Sequence, residues 1–483
     1  MNTTTSTQIF SPLDAANLES IGLLGPVETD GKRKCHKRRL NRSSDEEHKD
    51  IPLDVSIGSP EAEEADAYAT IPDAIFSRET LNYLGFSTHM ADTIWNGWVN
   101  WPLDGPGREV DAATGGLRVT FIDFIILRHV KKANNVYEDD DFKWRQCLNA
   151  CGMSDSVQNA IMDENFKEIR MSRSCVYWVT DTVQMRYAGL KEIQRASRER
   201  DMQLQRERAR QGGPSRRDRT SSSMGSDQSG SAQRRGHTRG SSSQGGRSFS
   251  GAQADSTPGI HSELWNPNII RRAQVDPQTL ILFKGIDLGR IPDLLNPDGT
   301  VQNIMALSSP PPSDFSNSTA LFYFTPEMEV AEYYAAYAKR RAGCEAVVMV
   351  TCHIPKQVIN DMKEPNIFRL YYPTPQWKQL VWRSRSNQPF TKPLRKYDDA
   401  MLIIGNISSG DNDNYRKLAS WEEIDGSCLL RVKRMGQSNA QISRQYAFTG
   451  RLAGQDLLTE NGKFNAYRFS DEHITALISR HRV

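Results

Sequence analysis

No run of 18 or more apolar residues occurs in the 483-residue chain, so no membrane-spanning helix is expected. The first 25 residues lack both a charged start and an apolar stretch, so no signal peptide is expected. No Cys-x-x-Cys pair occurs either. The seven cysteines (35, 147, 151, 175, 344, 352 and 428) are odd in number and scattered, as are the nine histidines. This spacing gives a structural zinc site no support. Cys147 and Cys151 sit one helical turn apart, but no second pair answers them. Cysteine usage reads as that of an intracellular protein with reduced thiols, nuclear or cytoplasmic. Charge of one sign is missing as well: 61 Lys+Arg against 59 Asp+Glu leave a net +2. That balance excludes a whole-molecule electrostatic attraction to nucleic acid or to a membrane. The apolar share is only 37%, as expected where disordered stretches lie beside folded ones.

What is present divides the chain into four. Residues 1–66 are rich in Thr, Ser and acidic groups without a sustained apolar period, and read as a disordered tail. Within it lies the basic run Lys32-Arg33-Lys34-Cys35-His36-Lys37-Arg38-Arg39. Such a run is an import signal or a phosphate contact, or else a solvated tail. Residues 67–211 read as a helical domain. Ser77 is placed to cap a helix carrying Leu81 and Leu84. Trp95, Trp98 and Trp101 form a stripe at helical spacing, which reads as bundle core rather than a ligand groove. The apolar segment from Val119 to Val130 reads as a buried helix ending in a capping or surface histidine, His129. The charged stretch that ends this domain, ERDMQLQRERARQ, reads as a helix running into solvent.

Residues 212–259 read as a flexible linker. Positions 212–250 hold 12 Ser, 8 Gly and 7 Arg against 2 Asp, a composition that cannot bury a core. Its arginines and the basic run give a weak case for nucleic-acid contact, because Phe249 is the lone aromatic there. Residues 260–483 change character. Strands are expected at Leu280–Phe283, Thr319–Phe324, Glu345–Ile354, Met401–Ile407 and Gln445–Phe448, with a clear helix over 327–341 behind Pro326. Regular strand–helix alternation is lacking, so the fold class is α+β with a mixed or split sheet.

Three separated motifs carry a family resemblance over roughly residues 275–465. The first is Leu282-Phe283-Lys284-Gly285. The second is Leu321-Phe322-Tyr323-Phe324-Thr325, followed by a helix with Tyr334 eleven positions after Tyr323. The third is Arg444-Gln445-Tyr446-Ala447-Phe448. Together they resemble the ADP-ribosyltransferase fold, in its polymerase-type branch. The resemblance implies that NAD is the substrate. It places Lys284 on the ribose and the Gly285 main chain on the nicotinamide carboxamide, where glycine lets a flat ring approach. It places Tyr323 and Tyr334 around the nicotinamide as stacking rings, with Thr325 beside them. Gln445 stands where the family has its catalytic glutamate, Lys284 where it has His or Arg, and Ala331 where it has a serine. The glutamate matters because glycosidic cleavage passes through a cationic, oxocarbenium-like state that a carboxylate stabilises.

Other charged candidates are Glu422 and Glu423, which could substitute for that carboxylate from a loop. Arg383 and Arg385, on a helix with Trp377 and Trp382, could contact a pyrophosphate or simply pack and face water. Three functions follow: mono-ADP-ribosyl transfer by an altered Lys284-Tyr323-Gln445 triad, binding of NAD or an ADP-ribose-like ligand without turnover, or a scaffold whose helical domain binds a protein partner.

Overall fold

The computed structural model describes residues 7–36, 68–102, 104–111, 118–211, 264–291, 293–296, 300–434, 437 and 439–482. The expected linker at 212–259, and residues 37–66 of the expected tail with the end of the basic run, lie outside them. The fold is α+β, as the pattern of runs indicated. Among the described residues no helix is long and apolar enough to cross a membrane.

The tail expectation is corrected for residues 7–36. Helix α1 (Pro12–Ser20) starts on a proline at its first turn and carries Leu18 inward. Strand β1 (Lys32–His36) pairs antiparallel with β2 (Tyr68–Pro72). Strand alternation splits the basic run: Arg33 and Cys35 point inward, while Lys34 faces water. Arg33 is held by the Gly25 carbonyl at 3.0 Å and by the carboxylates of Glu19 and Asp73. This half of the run is therefore part of a packed ribbon.

The helical part follows. Helix α2 (Arg78–Leu84) is capped by Ser77, whose hydroxyl accepts the Thr80 N–H. It ends at Gly85, at φ +106°, where a Cβ would lie 2.5 Å from Val157. In α3 (Thr88–Val99) Trp98 is buried against Phe121 and Phe124 of α4 (Phe121–Arg128), while Trp95 and Trp101 flank it half-exposed. The stripe is core. Helices α5 (Asp141–Ala150) and α6 (Asp155–Ile161) pack around α7 (Cys175–Gln211), whose last turns are exposed. Helix α1 docks on α7 through buried polar pairs: Asp201 accepts the Leu13 N–H at 2.9 Å, and Asp14 accepts Arg200 Nε at 2.9 Å.

After α8 (Pro267–Gln274) come the strands that position the site: β3 (Thr279–Asp287), β4 (Leu321–Phe324), β5 (Val347–Pro355), β6 (Ile367–Leu370), β7 (Leu402–Asn406), β10 (Arg444–Thr449) and β11 (Lys463–Phe469). One sheet runs β6-β7-β10-β4 and the other β3-β5-β11. They meet at a single residue pair, Phe283 and Thr325, bonded both ways at 2.8 and 2.9 Å. The sheet is thus split between β4 and β3. A short ribbon, β8 (Arg431–Lys433) with β9 (Ala440–Ile442), lies outside it. Helix α9 (Met328–Arg341) covers β3; α10 (Pro375–Arg385), α11 (Asn412–Lys417) and α12 (Asp471–Arg482) complete the layers.

The expected division into a helical domain at 67–211 and a separate domain from 260 onward is also corrected. One hydrophobic core runs from Ile9 and Leu18 through Trp98 and Trp178 to Phe283, Tyr337, Met349 and Leu477. Each large apolar side chain fully buried there contributes roughly 1.5–3 kcal/mol. An ion network ties the same seam. Asp181 of α7 receives Arg290 Nη1 at 2.6 Å and Arg341 Nη1 at 2.7 Å.

Candidate functional site

Strand alternation decides which candidate residues can meet. Leu282 belongs to a second core with Phe322, Phe324, Val348 and Phe448, while Ile281 and Phe283 belong to the shared core. Lys284 therefore projects to the Leu282 side. Its ammonium lies 6.0 Å from the Phe324 ring centroid and donates to the Tyr323 carbonyl at 3.3 Å and to Ser309 Oγ at 3.5 Å. Tyr323 and Gln445 lie on the opposite face. Tyr323 stands across from Ala447, two residues along from Gln445 on β10. The sheet thus separates Lys284 from the other two members of the expected triad.

Burial pushes the Lys284 ammonium down to about 8. Above that value, up to the ordinary lysine range, the unfolded chain holds a proton that the folded chain does not, so stability rises with pH across this window. Lys284→Met is expected to raise the melting temperature near neutral pH. The gain should shrink as pH climbs toward about 10.4. Thermal melts of both chains across this range check it, and a loss of stability in the variant would refute a purely packing role for the lysine.

Tyr323 packs with the third core, its ring tilted on Phe315 at 6.4 Å, while Tyr334 packs against the shared core. No ring contact joins them among the described residues. The Tyr323 hydroxyl donates to Ser313 Oγ at 2.9 Å and accepts the Phe315 N–H at 3.1 Å. The cavity near this ring, lined by Phe315, Leu321, Ile403 and Ala447, has a volume of ≈ 10 Å³, room for about one water. Gly285 is needed for a different reason from the expected one. A Cβ there would lie 2.5 Å from the Ala331 carbonyl and 2.7 Å from the Ala335 nitrogen, so the glycine lets α9 pack directly on the main chain of β3. Thr325 bonds Glu327 at 3.0 Å, and Glu327 in turn holds Arg444 and Arg434.

Gln445 is buried at the start of β10. Its Nε2 donates to Asp314 Oδ2 at 2.6 Å and to the Asn406 carbonyl at 3.2 Å. Asp314 also accepts the Ser408 N–H at 2.8 Å and the Ser408 hydroxyl at 2.6 Å. The carboxylate beside Gln445 is therefore Asp314. Glu422 and Glu423 are exposed and bond to Ser420 and the Ala419 N–H. Trp377 and Trp382 are buried on the sheet, and Arg383 caps the Pro389 carbonyl at 2.9 Å.

Arg385 behaves differently from Arg383. It is 2% exposed, its Nη2 donates to the Gly410 carbonyl at 2.5 Å, and its Nε stands 3.5 Å from Asp314. Two residues along the same loop, Asn412 accepts Arg173 Nη1 at 3.2 Å. Arg173 precedes α7 and lies over the Tyr177 ring at 5.2 Å. Tyr334 sits within the electrostatic reach of both guanidiniums and of Asp314, and burial holds its phenol up at about 12.

No family model matches the chain, and no curated protein or solved structure matches it.

The face of the sheet that carries Gln445 thus gathers Asp314, Arg385 and Tyr334 from the C-terminal part with Arg173 and Tyr177 from the helical part. Arg173 and Tyr177 carry no sequence signal for this: they lie about 100 residues before β3, and only the shared core brings them to the loop at 410–412.

Proposed function

We propose that this protein is a binding protein on an ADP-ribosyltransferase-like sheet, one that takes an ADP-ribose-like ligand and does not cleave NAD. The observation that carries the reading is the state of Gln445. It brings no charge, and its amide is committed to Asp314 and the Asn406 carbonyl. Nothing there is free to stabilise an oxocarbenium-like state. Lys284 points through the sheet to the other face, and α9 packs directly on the main chain at Gly285. What supports binding is the meeting of polar groups from both parts of the chain: Arg385, Asp314 and Gln445 are linked around Gly410, and Arg173, over the Tyr177 ring, reaches Asn412 of the same segment.

The test uses the full chain and NAD labelled separately in its nicotinamide and adenosine halves. The expected result is retention of labelled ADP-ribose in equilibrium dialysis with no nicotinamide release above a protein-free control. Release that disappears in Tyr323→Phe would overturn the reading in favour of transfer. Retention of neither NAD nor ADP-ribose would overturn it in favour of a scaffold that works through protein contacts alone.

A further inference from the structure

Most buried arginines among the described residues are neutralised at short range. Arg170 has Asp141 at 2.9 Å, Arg341 has Asp181 at 2.7 Å, and Arg33 has Glu19. The seam at the 410–412 loop is built otherwise. Arg173, half-buried, has no carboxylate within ion-pair distance among the described residues. Among the described residues its guanidinium has one hydrogen bond, to the neutral Asn412 amide. Arg385, almost wholly buried, leaves its Nε without a hydrogen-bond partner, 3.5 Å from Asp314.

The neighbouring carboxylates are committed elsewhere. Asp411 accepts the Ser174 N–H at 2.8 Å and the Asp413 N–H at 3.0 Å. Asp314 is taken by Ser408 and Gln445. They offset charge without filling the guanidinium donors. The two arginines also repel: each lies in the other's field, and burial together with Arg385 lowers the Arg173 guanidinium below its ordinary range. Around them the hydroxyls of Tyr334 and of Tyr177, which is 43% exposed, make no hydrogen bond to another described residue.

Like charges with unused donors, anchored on Gly410 and Asn412 beside two phenols of which Tyr177 is 43% exposed, match a shared anionic acceptor. A carboxylate matches the fork of one arginine, whereas a phosphoryl group offers three oxygens to donors arriving from several directions. We infer that the seam between Arg173 and Arg385, with Tyr334 and Tyr177, is a binding site for the phosphoryl group of a small phosphate ester or pyrophosphate. The inference rests on the proposed reading that the chain binds its ligand without cleaving it, and it names the part of that ligand the protein grips.

The test follows thermal unfolding and calorimetric titration of the full chain at constant ionic strength, with pyrophosphate, ADP-ribose and, as the carboxylate arm, citrate. Pyrophosphate and ADP-ribose are expected to raise the melting temperature saturably, and citrate is not. Arg173→Met should weaken pyrophosphate binding about 10- to 100-fold, the range for lost charge-assisted hydrogen bonds. It should not lower the melting temperature of the ligand-free protein, because it relieves repulsion from Arg385. Arg416→Met, an exposed arginine on the neighbouring helix paired with Asp413, should bind as the native chain does. An equal response to citrate, or pyrophosphate binding undiminished in Arg173→Met, would overturn the inference. ADP-ribose binding that survives Arg173→Met would overturn it too while leaving the binding reading intact. Nicotinamide release from NAD would overturn the binding reading alone if pyrophosphate still saturates the native chain and not the variant.

Discussion

Replacing Asp181 by alanine is expected to cost about 3–5 kcal/mol of stability, the range for breaking a buried ion pair by removing one partner. Asp181 is the hinge pin of the seam. Its side chain is only 12% exposed and faces two guanidiniums, Arg290 at 2.6 Å and Arg341 at 2.7 Å. Arg341 is the costlier of the two to strand, because its side chain is 3% exposed. It would keep only Thr182 Oγ1 at 2.9 Å, the Tyr337 carbonyl at 3.2 Å, and the faces of Trp178 and Tyr337. Arg290 retains Asp287 at 3.1 Å and reaches water. Arg290 and Arg341 hold the Asp181 carboxyl down at about 2 against its burial. A carboxyl lowered in the folded state contributes stability that is complete above its unfolded value, about 3.9, and is lost as pH falls through about 2. The native chain should therefore converge on Asp181→Ala in strong acid and separate from it above about pH 4. Denaturant titrations of both chains across that window check the sign. A loss below about 1 kcal/mol near neutrality would place the pair with ordinary surface ion pairs instead.

The second large effect is expected from Gln445→Glu. In a transferase of this resemblance the change would restore a catalytic charge and raise NAD cleavage about 100- to 1000-fold. Here the new carboxyl would sit where Nε2 now donates to Asp314 at 2.6 Å. Two carboxylates at that separation cannot both ionise, so the pair must keep a proton. Arg385, at 3.5 Å from Asp314, compensates one charge and is already shared. A carboxyl whose folded value is raised is tolerated below about 4.3 and becomes costly as pH rises through the raised value. The expected outcome is near-native stability at about pH 4 and a deficit of roughly 3 kcal/mol at about pH 8, from an unpaired buried charge. No gain in nicotinamide release is expected. Melts at both pH values, run beside a nicotinamide assay, separate the two readings. A variant that is as stable as the native chain in alkali and cleaves NAD would mean Gln445 stands in a working active site.

The two variants probe different kinds of construction. Asp181 belongs to the joint between the helical part and the sheet, and Gln445 to the buried polar cluster with Asp314 at the start of β10. Both depend on residues far away in the chain, which is why neither stood out by composition. Asp181 sits in an apolar stretch that reads as an ordinary helix face, and its partners come from the end of β3 and the end of α9. Asp314 lies in a Pro/Ser-rich connection with no periodicity of its own. Residues 7–36 differ from the tail their composition suggests for a related reason. Ile9, Phe10, Leu18, Leu23 and Leu24 are too few and too short a run to form a core unaided, and they are buried as part of the core shared with the helical part. Strands β6 and β11 carry no clear local signal, because Ile367–Leu370 is only 4 residues long and the apolar residues of Lys463–Phe469 do not alternate regularly.

Local pattern alone determined a good deal: the cap at Ser77, the tryptophan stripe as core, the α9 helix behind Pro326, and the strands bearing all three motifs. These follow from side-chain period and backbone preference, which act over a few residues. Which face each motif residue occupies, and what stands opposite it, was decided by tertiary structure. The pairing of Phe283 with Thr325 sets the relative parity of β3 and β4, and that one register sends Lys284 to one side and Tyr323 with Gln445 to the other. The approach of α9 to Gly285, and the arrival of Arg173 beside Arg385, are likewise products of a core shared by distant segments. Spacing along the chain carries no record of them, because such contacts exist only once apolar surfaces hundreds of residues apart have been removed from water.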